Sequence, residues 1–230
     1  MQIEVLTEAE AVAVAAARRI AQESRAAVGA RGRFVIAFSG GRSPGQMFHA
    51  LVAEDVPWEK VYVLQVDERI APEGHPDRNL TVLRESLLSR VPLPESQLCA
   101  MPVDALDLEL AAKRYQSLIE RVTSQPPVID LVHLGLGTDG HTASLVPGDP
   151  VLKVADADVA LTGTYEGRRR MTLTYPMLNR AREVLWVVTG GAKRGAFERL
   201  RRGDETIPAG RICRDRARVL ADWAAAGMSG

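Results

Sequence analysis

Asp139 and His141 stand two residues apart in a glycine-rich run, Gly135-Leu136-Gly137-Thr138-Asp139-Gly140-His141-Thr142-Ala143-Ser144. An imidazole with an ordinary pKa of about 6.5 takes a proton from water near neutral pH, and a neighbouring carboxylate fixes its tautomer and favours its charged form. The pair therefore suits general acid–base chemistry. A lone histidine is more often structural, and the three glycines around this one favour function. The same run has the GxGxxG spacing of a dinucleotide loop, but Pro147-Gly148-Asp149-Pro150 interrupts it within about two turns. A nucleotide-binding unit needs a long helix there, so that reading is set aside.

A second group of residues could hold an anion. Ser39-Gly40-Gly41-Arg42-Ser43-Pro44 puts glycines, hydroxyls and a guanidinium between an apolar run and a helix-compatible proline. Free amides and the helix dipole at such a junction attract phosphate. The lysine of a full P-loop is missing, which leaves a plain tight turn as an equal reading. Arg170 and Lys193 offer a planar fork and a mobile point charge to a phosphate dianion. Arg168 and Arg169 beside Arg170 show how ordinary a solvated arginine is. Asp67-Glu68-Arg69 follows another apolar run, with His75-Pro76-Asp77-Arg78-Asn79 shortly after; His75 reads as a solvent-exposed loop residue. No H-E-x-x-H or EF-hand pattern occurs, and Cys99 and Cys213 lie far apart without a CxxC. Metal-free acid–base chemistry with no cofactor is the expectation, and the cysteines read as reduced structural thiols.

Strands must bring these loops together. Arg33–Phe38, Val61–Val66, Ile129–Leu134 and Val184–Val188 are short, nearly continuous apolar runs, each stopped by glycine or polar residues. Such runs mark strands buried on both faces, as in a parallel sheet. Helical patterns separate them: about Glu8 to Val28, ending at Gly29, with Thr7-Glu8-Ala9-Glu10 as a capping box; a helix opening at Pro44; and Leu80–Leu88, Leu106–Val122 and Ala192–Arg201. Met171–Thr174 and Arg218–Ala221 read as further strands. Alternation of this kind predicts an α/β fold, a Rossmann-like doubly wound, mostly parallel sheet with helices on both faces. Ligands in such sheets bind beyond the carboxyl ends of the strands, where the loops above lie.

The 230 residues carry 29 Lys+Arg against 29 Asp+Glu and are 46% hydrophobic, which fits one domain over residues 1–230 and gives no global attraction to nucleic acid or anionic membrane. The longest stretch without Asp, Glu, Lys or Arg, Ser43 to Ala53, has eleven residues, too few for a membrane span. Met1-Gln2-Ile3-Glu4 has neither the basic nor the apolar region of a secretory signal, so a cytoplasmic location is expected. The apolar helix faces do not distinguish packing on the sheet from packing on a second subunit; a monomer is the expectation.

Taken in order, Ser39–Pro44, Asp67–Arg69, His75–Asn79, Gly135–Gly148, Arg170–Thr174 and Thr189–Lys193 resemble the 6-phosphogluconolactonase family, the lactonase branch of the glucosamine/galactosamine-6-phosphate isomerase superfamily. The resemblance runs nearly the length of the chain, and Asp139–Leu145 is its most specific piece. The related isomerase/deaminase family shares the glycine loops and the modified Rossmann-like sheet, but carries a ring-opening glutamate where this chain has Val146. Small departures are Arg42-Ser43 where Ser-Thr is common, Val146 where lactonases usually have Phe, and Pro208-Ala209-Gly210 where Pro-Ala-Ser is typical. The resemblance implies hydrolysis of a phosphorylated sugar lactone, 6-phospho-D-glucono-1,5-lactone, in the oxidative branch of the pentose phosphate pathway. It implies His141 as base and then acid, Asp139 as its orienting partner, and Arg69 or loop amides at the oxyanion. Ser39, Gly40, Gly41, Arg42, Ser43, Asp67, Asn79, Thr142, Ser144, Arg170 and Lys193 are the expected substrate contacts, with Asp67 and Asn79 either on sugar hydroxyls or holding Arg69. An amino-sugar-phosphate deaminase and a non-catalytic phosphosugar sensor are the alternatives.

Overall fold

The computed structural model describes residues 1–40 and 44–228. From the N-terminus the chain forms β1 (Gln2–Leu6), α1 (Ala9–Arg31), β2 (Phe34–Phe38), α2 (Gly45–Val52), β3 (Val61–Gln65), β4 (Asp67–Arg69) and α3 (Asn79–Ser86). It continues through β5 (Leu98–Cys99), α4 (Leu108–Val122), β6 (Leu131–Leu134), β7 (Val159–Leu161), β8 (Arg170–Leu173) and α5 (Tyr175–Asn179). β9 (Glu183–Val188), α6 (Arg194–Arg202), β10 (Ala217–Asp222) and α7 (Trp223–Ala226) complete it.

Seven strands form one sheet in the order β1-β10-β9-β6-β2-β3-β5, every pairing parallel. Because strand side chains alternate, β2 feeds both faces: Phe34, Ile36 and Phe38 pack with α1 and α2, whereas Val35 and Ala37 join the core under α4, α5 and α6. Helices therefore cover both faces, as the unbroken apolar runs predict. A smaller antiparallel sheet, β4-β8-β7, stands at the carboxyl edge. Val66 joins the two: its amide donates to Phe38 O at 3.0 Å, and its carbonyl accepts from the Leu173 amide at 2.8 Å.

Several sequence expectations shift. The Thr7–Glu10 capping box does not form; Glu8 is the extended cap residue and makes no side-chain cap bond. α1 runs past Gly29 to Arg31 and stops where Gly32 adopts φ 74°, its amide donating to Val28 O. Asp67-Glu68-Arg69 is a strand rather than a loop, and Arg170–Leu173 pairs with it instead of joining the large sheet. β1, β5, β7, α5 and α7 have no counterpart in the sequence reading. Among the described residues no helix is long and apolar enough to cross a membrane.

Candidate active site

One open cavity of about 250 Å³ collects the carboxyl ends of β2, β3, β6 and β9 together with β4 and β8. Its lining among the described residues includes Ser39, Gly40, Asp67, Arg69, Asn79, His133, Gly137, His141, Arg170 and Lys193. Residues that are far apart in the chain meet because each leaves a strand at the same edge.

The loop after β6 holds the acid–base pair. Asp139 Oδ1 lies 2.6 Å from His141 Nδ1 and accepts the His141 amide at 3.1 Å. Partial burial pulls the Asp139 carboxyl upward, but these contacts and the imidazole's charge outweigh it and hold the carboxyl below its usual value. An ionised carboxylate only accepts hydrogen bonds, so Nδ1 carries the proton and Nε2 keeps the free lone pair of a base. Glycines make room for this turn. A Cβ on Gly137 would overlap the His141 ring, and Gly140 sits at φ 86° against Ile207. The Gly137 amide donates to His141 O at 2.8 Å and closes the loop.

The small sheet supplies charge. Glu68 in β4 is fully buried, and its carboxylate accepts the amides of Arg69, Asn79 and Leu80 at 2.7–2.9 Å and the side chain of Gln65 at 2.7 Å. Arg78 Nε is 3.4 Å away. A carboxylate there caps the N-terminus of α3 from outside the helix and fixes Arg69 and Asn79 at the rim. Arg69 Nη1 donates to Asp77 O at 2.8 Å, and Asn79 Nδ2 donates to Asp67 O at 2.9 Å. Gly40 lies so close that a Cβ there would overlap the Asn79 side chain. Arg170 in β8 is buried, with Nη2 donating to Glu166 Oε2 at 3.1 Å and its Nε without a partner among the described residues.

Two expected contacts lie behind the wall. Thr142 and Ser144 are fully buried; Thr142 Oγ1 donates to Gly135 O at 2.9 Å, and Ser144 Oγ donates to Asp67 Oδ2 at 2.6 Å. The Thr142 hydroxyl closes the loop and the Ser144 hydroxyl orients Asp67, and neither lines the cavity. Ser39, Gly40, Asp67, Arg69, Asn79, His141, Arg170 and Lys193 do line it. The expected contacts Gly41, Arg42 and Ser43 lie outside the described residues. His75 is half-buried, with Nε2 3.2 Å from an Arg168 nitrogen, in place of the free loop residue expected.

Two further residues escaped the sequence reading. His133, in β6, is 1% exposed at the cavity floor with Nδ1 unpartnered among the described residues, and burial pushes its pKa down to about 3. Ser39 Oγ, an expected contact, is buried beside the same cavity and has no partner among the described residues. The signal for His133 was a polar residue inside an apolar strand, at the end where ligands bind. Tyr165 packs on His141, but its place in a turn between short strands left no periodic signal. Among the described residues no cluster of His, Cys, Asp and Glu fits a metal ion.

The family described as glucosamine-6-phosphate isomerases/6-phosphogluconolactonase matches residues 7–221. The chain belongs to that family. A 6-phosphogluconolactonase from Synechocystis sp. is 39% identical over 175 residues, 74% of this chain and 72% of the relative. The crystal structure of the 6-phosphogluconolactonase from Thermotoga maritima superposes with a TM-score of 0.85 at 24% identity, over 96% of this chain and 98% of that one. A monomeric glucosamine-6-phosphate deaminase reaches a TM-score of 0.87 at 18% identity over 100% of both chains. The backbone thus fits both branches, and side chains must separate them. Val146 is buried and carries no group that moves a proton.

Proposed function

We propose that this protein hydrolyses 6-phospho-D-glucono-1,5-lactone to 6-phospho-D-gluconate in the oxidative branch of the pentose phosphate pathway. The observation that carries the reading is the Asp139–His141 contact of 2.6 Å at the mouth of a cavity walled by Arg69, Arg170 and Lys193, in a chain 39% identical to a named lactonase. His141 Nε2 takes a proton from water as the water oxygen bonds to the lactone carbonyl carbon; the same proton then goes to the ring oxygen as the carbon–oxygen bond of the ring breaks. Asp139 stabilises the imidazolium in between. Arg69, with one nitrogen tied to Asp77 O, turns its remaining donors to the carbonyl oxygen as negative charge develops there. Arg170 and Lys193, with the Gly41-Arg42-Ser43 segment, grip the phosphate, so binding energy remote from the reacting carbon positions it over His141.

Residues 1–230 act as a single domain, a monomer, in the cytoplasm, with a small phosphorylated lactone as partner and without nucleic acid or membrane. Pairing of β1 with β10 ties the two ends of the chain into one sheet, and the balanced charge favours no polyanion. The test generates the lactone enzymatically from glucose 6-phosphate and follows its decay against spontaneous hydrolysis. Faster decay is expected, with no ammonia from glucosamine 6-phosphate. Ammonia release without faster lactone decay overturns the reading in favour of a deaminase. Saturable binding of 6-phosphogluconate with neither reaction would make it a sensor.

A further inference from the structure

Between β7 and β8 the chain reverses through Glu166 (φ 49°) and Gly167 (φ 79°), two successive left-handed residues flanked by the antiparallel pair Tyr165 and Arg168. Paired left-handed residues make the tight hairpin turn whose twist matches its strands, and Asn-Gly is its usual sequence. A glutamate in the first position is strained, and such strain persists only where neighbouring contacts hold it. Here Glu166 Oε2 accepts from Arg170 Nη2, and the turn sets Tyr165 against His141.

Three contacts converge on that one side chain. Its ring lies edge-on to His141, with centroids 5.6 Å apart and planes at 66°. Its hydroxyl donates to Asp139 Oδ2 at 3.5 Å, the carboxylate oxygen that His141 does not use. Arg170 Cζ stands 5.0 Å from the ring centroid, within cation–π range. We propose that Tyr165 is a positioning residue for the lactonase reaction, a single rigid ring that sets the proton-transferring imidazole and the phosphate-gripping guanidinium relative to each other. This inference rests on the roles given above to His141 and Arg170.

Asp139 restrains the His141 imidazole through one edge only, at Nδ1. Arg170 comes from a different sheet. No hydrogen bond among the described residues joins the His141 loop to Arg170 directly, and Tyr165 touches both. A phenol ring has two side-chain torsions, so holding it loses little conformational freedom while it restrains two longer or looser groups.

Two substitutions separate the contacts. Tyr165→Phe keeps the ring against His141 and Arg170 and removes only the donor to Asp139. Tyr165→Ala removes all three contacts. The charged and titratable groups around His141 are Asp139 on its own loop, Tyr165, Glu166 and Arg170 from the hairpin and β8, and Asp67, Arg69, His133 and Lys193 elsewhere in the cavity. Of these, Tyr165→Phe alters only the phenol. With that donor gone, Asp139 holds the imidazolium more strongly, so the acidic limb of the kcat/KM profile should move to higher pH. A decrease in kcat of about three-fold to ten-fold should accompany it, with little change in KM. Tyr165→Ala should in addition raise KM about ten-fold, because Arg170 loses its support.

His141→Ala and Arg170→Gln run in parallel, with circular dichroism and thermal melts on every variant. Collapse of kcat in His141→Ala and a raised KM in Arg170→Gln, together with the two Tyr165 patterns, supports the proposal. If those controls behave so but both Tyr165 variants keep wild-type kcat, KM and pH profile, or differ only in melting temperature, the positioning role is overturned and the roles of His141 and Arg170 stand. If His141→Ala or Arg170→Gln keeps wild-type kinetics, the underlying reading fails and the proposal with it.

Discussion

The two sheets of this protein divide the labour. The seven-stranded sheet is parallel, nearly all apolar and buried on both faces, and its strands contribute chiefly their ends: His133 at the floor and the loops that carry His141 and Lys193. The three-stranded antiparallel sheet is short and rich in charge, and its own strand residues Asp67, Arg69 and Arg170 face the cavity. Fold stability and charge placement are thus built into different layers. A burial-driven sheet tolerates long loops at its carboxyl edge, whereas a sheet carrying three charged cavity residues must neutralise what it buries, as Glu68 does with Arg78 and the α3 amides.

That contrast can be broken first at Glu68. Glu68→Ala leaves three backbone donors, the Gln65 amide and Arg78 without their buried acceptor, and should lower stability by about 3–5 kcal/mol in a urea titration. A loss below about 1 kcal/mol, within the range of an exposed pair, would mean that the small sheet does not depend on this carboxylate.

Gly137→Ala probes the opposite layer. The added methyl overlaps the His141 ring, so kcat should fall about 100-fold while the melting temperature changes little. Wild-type kcat would show that the loop after β6 relaxes freely and does not set the imidazole.

A gentler test concerns His133, whose folded pKa near 3 lies below the unfolded value of about 6.5. Below pH 6.5 the unfolded chain takes up a proton that the fold refuses. Stability from this residue is complete above that pH and is lost as pH falls toward 3, by at most about 1.4 kcal/mol per pH unit. His133→Phe should flatten that slope relative to wild type, read from urea titrations between pH 4 and 7; parallel slopes would place the histidine in contact with water.

The same contrast explains what could be read from the chain alone. Runs such as Phe34–Phe38 and Val184–Val188 announce themselves because burial on both faces demands unbroken apolar residues. Asp67–Arg69 does not, since three charged residues become a strand only when β8 lies beside them and Glu68 finds its buried partners. β1 pairs only with β10, more than two hundred residues away in sequence, and Gln2–Leu6 is partly exposed, so its strand character depends on a tertiary contact. The helix stop expected at Gly29 falls three residues later, where Gly32 makes the left-handed turn before β2. In the site, His141 and Asp139 were legible from spacing. Thr142 and Ser144 were misplaced, because a hydroxyl in a glycine loop looks alike whether it faces a ligand or a carbonyl behind it. Tyr165 required the fold of the hairpin.

The central claim is that His141, oriented by Asp139, moves the proton in lactone opening. Lactone decay measured side by side for wild type and His141→Ala, above the spontaneous rate and at matched folded concentration, tests it directly. Acceleration by wild type that falls at least about 100-fold in the variant is the predicted result. Equal acceleration by the two proteins, with the variant correctly folded, would contradict it.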